Sequence, residues 1–208
     1  MKHIAESTVR RLSLYLRFLE EFEAHGHQTI SSGELASQGG TTSAQVRKDL
    51  SFFGSFGKRG LGYSVSDLSS RLREILGLGR PWKVVIVGAG KIGAALAQYR
   101  GFRERGFRIV GIYDVDPQSI GLALDGVTVR DQRDMETDLV SLNAEIALLA
   151  VPAEVAQPLT DRLVAAGIGA ILNFASTPLH VPPHVTIRSV NMALELEILS
   201  YALVNRDA

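Results

Sequence analysis

The chain has 208 residues, a length that suits one large domain or two small ones with a real core, and its 22 basic and 22 acidic side chains cancel. It has no cysteine, which excludes disulfides and thiolate zinc sites and fits a reducing compartment. The charged first thirty residues do not read as a signal peptide and no apolar run of about eighteen exists, so a cytoplasmic protein with no membrane partner is expected.

The charge is unevenly spread. Residues 1–80 carry 11 basic against 8 acidic side chains, and between 41 and 63 Arg47, Lys48, Lys58 and Arg59 stand against a single acid, Asp49. In STVRRLSLYLRFLEEFEAHG, Val9, Leu12, Leu16 and Leu19 recur at helical spacing, with Ser7 placed to cap the start and Gly26 to end it. Ser31 and Glu34 then carry the signature of a capping box before a short helix that Gly39 and Gly40 close. Thr42 and Gln45 repeat the signature. The helix behind them turns Val46, Leu50 and Phe53 inward and Ala44, Arg47, Lys48 and Ser51 outward.

Two short helices joined by a Gly-Gly turn, the second showing small, basic and polar groups outward, have the form of a helix-turn-helix. FGSFGKRGLGYSV follows as a hairpin with Lys58, Arg59 and Gly60 at its tip, a wing that brings cations to a narrow minor groove. Singly, each feature is an ordinary solvated face. In this order they point to double-stranded DNA, with Ala44, Gln45, Arg47, Lys48, Ser51 and the wing tip as candidate contacts; a winged helix that only dimerises is the alternative.

From Lys83 to Val87 the sequence reads as a strand buried on both faces, breaking into the turn Gly88-Ala89-Gly90-Lys91-Ile92-Gly93. Gly88 permits the turn, Gly90 lets backbone approach a pyrophosphate, and Gly93 lets the following helix pack on the strand. A second strand, FRIVGIYD, ends in Asp114, 21 residues after Gly93, where a carboxylate accepts ribose hydroxyls and repels a 2′-phosphate. NAD(H) is favoured over NADP(H). GVTV, an acidic helix over 134–142, EIALLAV ended by Pro152, a helix over 154–166 and AILNFA continue the alternation of a parallel, doubly wound sheet. Val151, Pro152, Asn173 and Phe174 fall at the carboxyl ends of strands, where ligands bind, although loop or core packing explains them equally.

Hydride transfer to a substrate needs a positioned acid or base and a second domain closing over the nicotinamide. His180 and His184 lie in a proline-marked loop, and about twenty residues remain after Val190, so no enzyme is expected; a small NAD-dependent oxidoreductase and a CoA-binding regulator are the runners-up. The last segment, NMALELEILSYALV, is a helix apolar on nearly every side. Such a helix docks on its own domain or in a partner subunit, and the second arrangement gives a homodimer suited to an inverted-repeat operator.

QVRKDLSFFGSFGKRGLGY and VGAGKIG, in this order of parts, resemble the Rex family of redox-sensing transcriptional repressors over nearly the whole chain. The resemblance implies an α/β protein with an N-terminal winged helix-turn-helix (1–80), a C-terminal Rossmann-like doubly wound parallel sheet (81–190) and a final helix (191–208) swapped between two subunits. It implies NADH and NAD+ as cofactors, with NADH binding releasing an inverted-repeat operator. By the same resemblance Arg47 and Lys48 match the recognition helix, Lys58 to Gly60 the wing, Gly88 to Gly93 the nucleotide turn, and Tyr99 a tyrosine near the nicotinamide. The family sets an aspartate before the final helix, in a polar network with that tyrosine and a first-helix arginine. Here Asn191 stands in its place and Arg17 matches the arginine; an amide bonds Tyr99 without forming an ion pair.

Overall fold

The computed structural model describes residues 4–54 and 61–206. The chain divides into two compact units, Met1–Arg80 and Pro81–Ala208.

In the first unit, α1 (Glu6–Ala24) turns Leu12, Tyr15, Leu16 and Leu19 fully inward. It starts earlier than the Ser7 cap implies. Ala5 holds the N-cap position without a side-chain bond, and Glu6 supplies the acidic charge that favours a first turn. Val9 lies beside the buried stripe, which begins at Thr8, and stays 40% exposed. α2 (Ser32–Gln38) has its capping box: Ser31 Oγ accepts from Glu34 N at 3.1 Å, and Glu34 Oε2 accepts from Ser31 N at 2.7 Å. α3 (Ser43–Ser51) has only half of one, because Thr42 Oγ1 accepts from Gln45 N at 3.2 Å while the Gln45 side chain turns to Asp49 instead.

Val46 and Leu50 are buried, and Phe53 packs half-buried on the same core. Two features were not read from the sequence. β1 (Thr29–Ile30) pairs antiparallel with β2 (Tyr63–Ser64), so the segment assigned to the wing returns onto residues far upstream of it. Behind it α4 (Val65–Ile75), capped by Ser64, buries Leu68 and Leu72 in the core shared with α1. The expected hairpin tip, Lys58, Arg59 and Gly60, lies outside the described residues.

The second unit is built on β3 (Trp82–Val87), β4 (Phe107–Asp114), β5 (Ala123–Leu124), β6 (Val127–Asp131), β7 (Ile146–Leu149), β8 (Ala170–Asn173) and β9 (Thr186–Ser189). They form one sheet in the order β5-β6-β4-β3-β7-β8-β9, parallel throughout except for the β5–β6 edge hairpin. α5 (Lys91–Ala97), α6 (Arg100–Glu104), α7 (Met135–Leu142) and α8 (Ala153–Ala165) fill the connections.

Val85 and Val87 pack with Met135, Leu139, Leu159 and Leu163 in one core cluster, whereas Val84 and Ile86 join Ala97, Ile112 and Leu148 in another. Burial on both faces is why this central strand reads as an unbroken apolar run. The chain winds outward from β3 to β6 and then crosses to β7, so the direction reverses between β3 and β7. Ligands bind in the crevice beyond the carboxyl ends of strands at such a point.

α9 (Met192–Val204) follows β9. Asn191 caps it, its Oδ1 accepting from Ala193 N at 3.1 Å and Leu194 N at 3.3 Å, yet no residue of the helix is buried. Among the described residues no helix is long and apolar enough to cross a membrane.

Candidate DNA-reading helix and nucleotide site

On α3, Ala44, Arg47, Lys48 and Ser51 are all exposed. Arg47 donates to Ser32 Oγ at 3.0 Å, and Ser51 Oγ donates to the Lys48 carbonyl at 2.8 Å. Gln45 is different. It is half-buried, and its amide nitrogen donates to Asp49 Oδ1 at 2.7 Å, so this candidate DNA contact also braces its own helix.

Asp49 is the residue that sequence reasoning missed. It is fully buried, and its carboxylate accepts four hydrogen bonds: from Arg11 Nε at 2.6 Å, Arg11 Nη2 at 2.8 Å, Gln45 Nε2 and Tyr15 Oη at 3.1 Å. Burial alone pushes this carboxyl up, but the bonds from Arg11, Gln45 and Tyr15 more than offset it and hold the group below the usual carboxylate range. The same burial, with Asp49 alongside, pushes the Tyr15 hydroxyl up to about 12. Asp49 therefore does not dilute the cationic face. Its charge is matched beneath the helix by Arg11, leaving Arg47 and Lys48 as the outward charges of α3. The signal was available: Val46, Asp49, Leu50 and Phe53 are spaced i, i+3, i+4 and i+7, which puts the acid on the inward stripe.

In the second unit the three glycines of the turn are required for different reasons. Gly88 has φ +95°, and a Cβ there would lie 2.3 Å from the Ala150 carbonyl oxygen. One at Gly93 would lie 1.8 Å from the Gly88 carbonyl oxygen, which enforces close helix–strand packing. Gly90 has no neighbour within 4 Å of a built Cβ, so its missing side chain keeps space open rather than relieving a clash.

Gly88 and Gly90 line a cavity of about 230 Å³ together with Asp114, Val151 and Pro152. These five expected site residues are brought together. Asp114 is held at the cavity by three backbone donors: Ala89 N to Oδ2 at 2.5 Å, and Val115 N and Asp116 N to Oδ1 at 2.7 and 2.8 Å. Val115 and Ala150, chain neighbours of Asp114 and Val151, complete the wall with Gln132, Val155 and Leu159, which were not foreseen because only the crossover of the sheet brings them there. The fit to an adenine dinucleotide is direct: an open backbone approach at Gly90, a fixed carboxylate for ribose hydroxyls, and apolar walls for a base.

Other expected residues lie elsewhere. Lys91 and Ile92 are exposed at the start of α5 and do not line the cavity. Tyr99 sits at the break between α5 and α6, 61% exposed, with its ring edge-on to Phe102 at 5.0 Å between centroids. Asn173 and Phe174 are also outside the cavity. Asn173 is fully buried, donating to the Thr177 carbonyl and Ser189 Oγ and accepting from Ala175 N, so it clamps the β8 loop to the end of β9. In the first unit, Arg17 is exposed on α1.

Residues 79–177 match the family described as CoA binding domain, and residues 3–51 the family described as putative DNA-binding protein N-terminus. The chain is 48% identical to the redox-sensing transcriptional repressor Rex of Syntrophomonas wolfei, over 98% of each chain. It is 46% identical to that of Streptomyces coelicolor, over 95% of this chain and 77% of the other. The crystal structure of RSP in complex with beta-NAD+ and operator DNA matches with a TM-score of 0.94 at 38% identity, covering 100% of this chain and 95% of that one. That of RSP in complex with beta-NADH matches with a TM-score of 0.91 at 37% identity, covering 100% and 97%. With a candidate DNA-reading helix in one unit and a candidate dinucleotide cradle in the other, and at 48% identity over 98% of each chain to a named Rex repressor, this chain belongs to the Rex family of redox-sensing transcriptional repressors.

Proposed function

We propose that this chain represses transcription from the cytoplasm as a homodimer that senses the ratio of NADH to NAD+. α3, with Lys58 and Arg59, grips the two halves of an inverted-repeat operator; Gly88, Gly90 and Asp114 hold the nucleotide; NADH releases the DNA. The observation that carries this reading is the presence, in one chain, of a cationic helix braced from below by Asp49 and a glycine cradle closed by the Asp114 carboxylate. The relatives are named as repressors, and the chain is read as a regulator rather than an oxidoreductase. A CoA ligand is disfavoured at the same cradle, because its ribose carries a 3′-phosphate that Asp114 repels.

Sensing requires a preference between states. Moving a population from 1:99 to 99:1 needs a ligand that binds one conformation about 10⁴-fold more tightly than the other, so NADH must discriminate between the DNA-bound and released arrangements. The oxidised nicotinamide is cationic and the reduced ring neutral, so a closed apolar environment accepts NADH more readily. Arg17, Tyr99 and Asn191 are the groups through which the arrangement is read. Because Asn191 Oδ1 is committed to the first N–H groups of α9, its amide nitrogen is the atom left to meet the Tyr99 hydroxyl, a neutral hydrogen bond weaker than an ion pair.

The test is operator affinity across an NADH titration, with NAD+ as the control. NADH is expected to release DNA at concentrations where NAD+ does not, and superimposable curves overturn the sensor. Gly90→Val should keep the fold and operator binding, since a Cβ there meets nothing within 4 Å, yet weaken NADH by about tenfold or more by filling the phosphate approach.

On the DNA side, Arg47→Ala is expected to cost about 1–3 kcal/mol and to relax base preference at one position per half-site. Selection from random duplexes, before and after the substitution, reads this directly. A uniform loss across all sequences would instead place Arg47 on a phosphate.

A further inference from the structure

One polar side chain on the cavity wall has no task in the nucleotide reading so far. Gln132 follows β6, whose end lies beside Asp114 of β4 in the sheet, on the side away from the glycine turn of β3. It lines the same cavity as Gly88, Gly90 and Asp114. Its side-chain amide makes no hydrogen bond to any described residue, although its backbone is firmly held. Arg162 Nη2 of α8 donates to the Gln132 carbonyl at 3.0 Å, and the same guanidinium grips Glu136 of α7. Asp131 closes the turn by accepting from Arg133 N at 2.9 Å, and Met135 anchors the far side in the core. Gln132, with a side-chain amide that no described residue engages, thus stands at a fixed edge of the cavity.

The order of groups along the strand ends sets what that amide meets. With pyrophosphate at Gly88 and Gly90 and a ribose at Asp114, the base continues outward, its faces against Val115, Val151 and Val155. These apolar walls accept any flat heterocycle. We propose that Gln132 is the residue that makes the site specific for adenine, by pairing its side-chain amide with the exocyclic amino group and the neighbouring ring nitrogen. A glutamine amide offers one acceptor and two donors in a plane, which matches that donor–acceptor pair on either polar edge of adenine.

This inference rests on the NAD(H) reading of the cavity, and its test separates the two. The ligands are NADH and its 1,N6-etheno analogue, in which the amino group has lost its hydrogens while pyrophosphate, ribose and nicotinamide are unchanged. The full-length protein is titrated by fluorescence, as wild type, Gln132→Leu and Gln132→Met. Wild type is expected to prefer NADH by about fivefold or more. The apolar variants, which keep the bulk of the side chain, should lose about that factor for NADH, hold their affinity for the etheno analogue, and bring the ratio near one. If the ratio stays at its wild-type value in both variants, Gln132 does not read the base. If wild type binds neither ligand, the nucleotide reading itself falls. Unchanged unfolding curves for at least one variant tie the result to recognition rather than to folding.

Discussion

Replacing Arg11 by methionine is expected to cost the first unit about 3–5 kcal/mol and to lower its melting temperature by more than about 10 °C. The substitution keeps a long apolar stem but removes two charge-assisted bonds, at 2.6 and 2.8 Å, from a carboxylate with no exposed surface. Tyr15 and Gln45 remain as donors to Asp49, yet neither carries a charge to match it. A buried charge left unpaired is costlier than a missing pair. Asp49→Asn added to Arg11→Met should therefore recover part of the loss, a non-additivity that calorimetry on the full chain measures. Operator affinity should fall with stability, because α3 carries both Asp49 and the outward Arg47 and Lys48.

The pH dependence follows from the depressed Asp49 carboxyl. A carboxyl held below its unfolded value contributes stability that is complete above about pH 4, the unfolded range, and is lost as pH falls through the lower folded value. Wild type should thus lose first-unit stability below about pH 4 more steeply than Asp49→Asn does. Parallel curves would mean that the carboxylate is not the linked group.

Much of this architecture was legible in the sequence where local chemistry and tertiary packing agree. The Ser31–Glu34 box, the inward Val46 and Leu50, and the Gly88–Gly93 turn each have a local cause that the fold leaves in place. The misses have physical reasons too. β1 and β2 are two residues each, too short for any period, and exist because Thr29–Ile30 and Tyr63–Ser64 meet across the chain. β9 alternates poorly and lies at the sheet edge after a proline-rich loop. Asp49 was set against the four nearby cations because net-charge arithmetic ignores which way a side chain points. Asn173 sits at a strand end, where ligands usually lie, but its amide is consumed by Thr177, Ser189 and Ala175. Gln132, Val155 and Leu159 come from separate elements that only the crossover after β6 unites.

Leu196→Asp together with Leu199→Asp is expected to convert the proposed homodimer into monomers at micromolar concentration. α9 shows why. Leu196 is 67% exposed, Leu199 59% and Leu203 67%, and on other sides Ile198 is 53% and Tyr201 71% exposed, so no orientation on a single chain hides them all. A helix of 13 residues is marginal alone in water, so one this apolar needs cover on more than one side, as insertion into a partner subunit provides. Burying each leucine contributes about 1.5–3 kcal/mol, and a symmetric dimer counts each twice, so the pair amounts to about 6–12 kcal/mol. That corresponds to a dissociation constant raised by about 10⁴-fold or more, which sedimentation resolves. Glu195→Gln with Glu197→Gln, which alters only the polar interruptions, should leave the dimer intact. A monomer keeps its half-site contacts but loses the linkage between them, so affinity for the inverted repeat should fall by about 10²–10⁴-fold while half-site binding persists. A doubly substituted protein that stays dimeric, with full operator affinity, would show that the two subunits join through some surface other than α9.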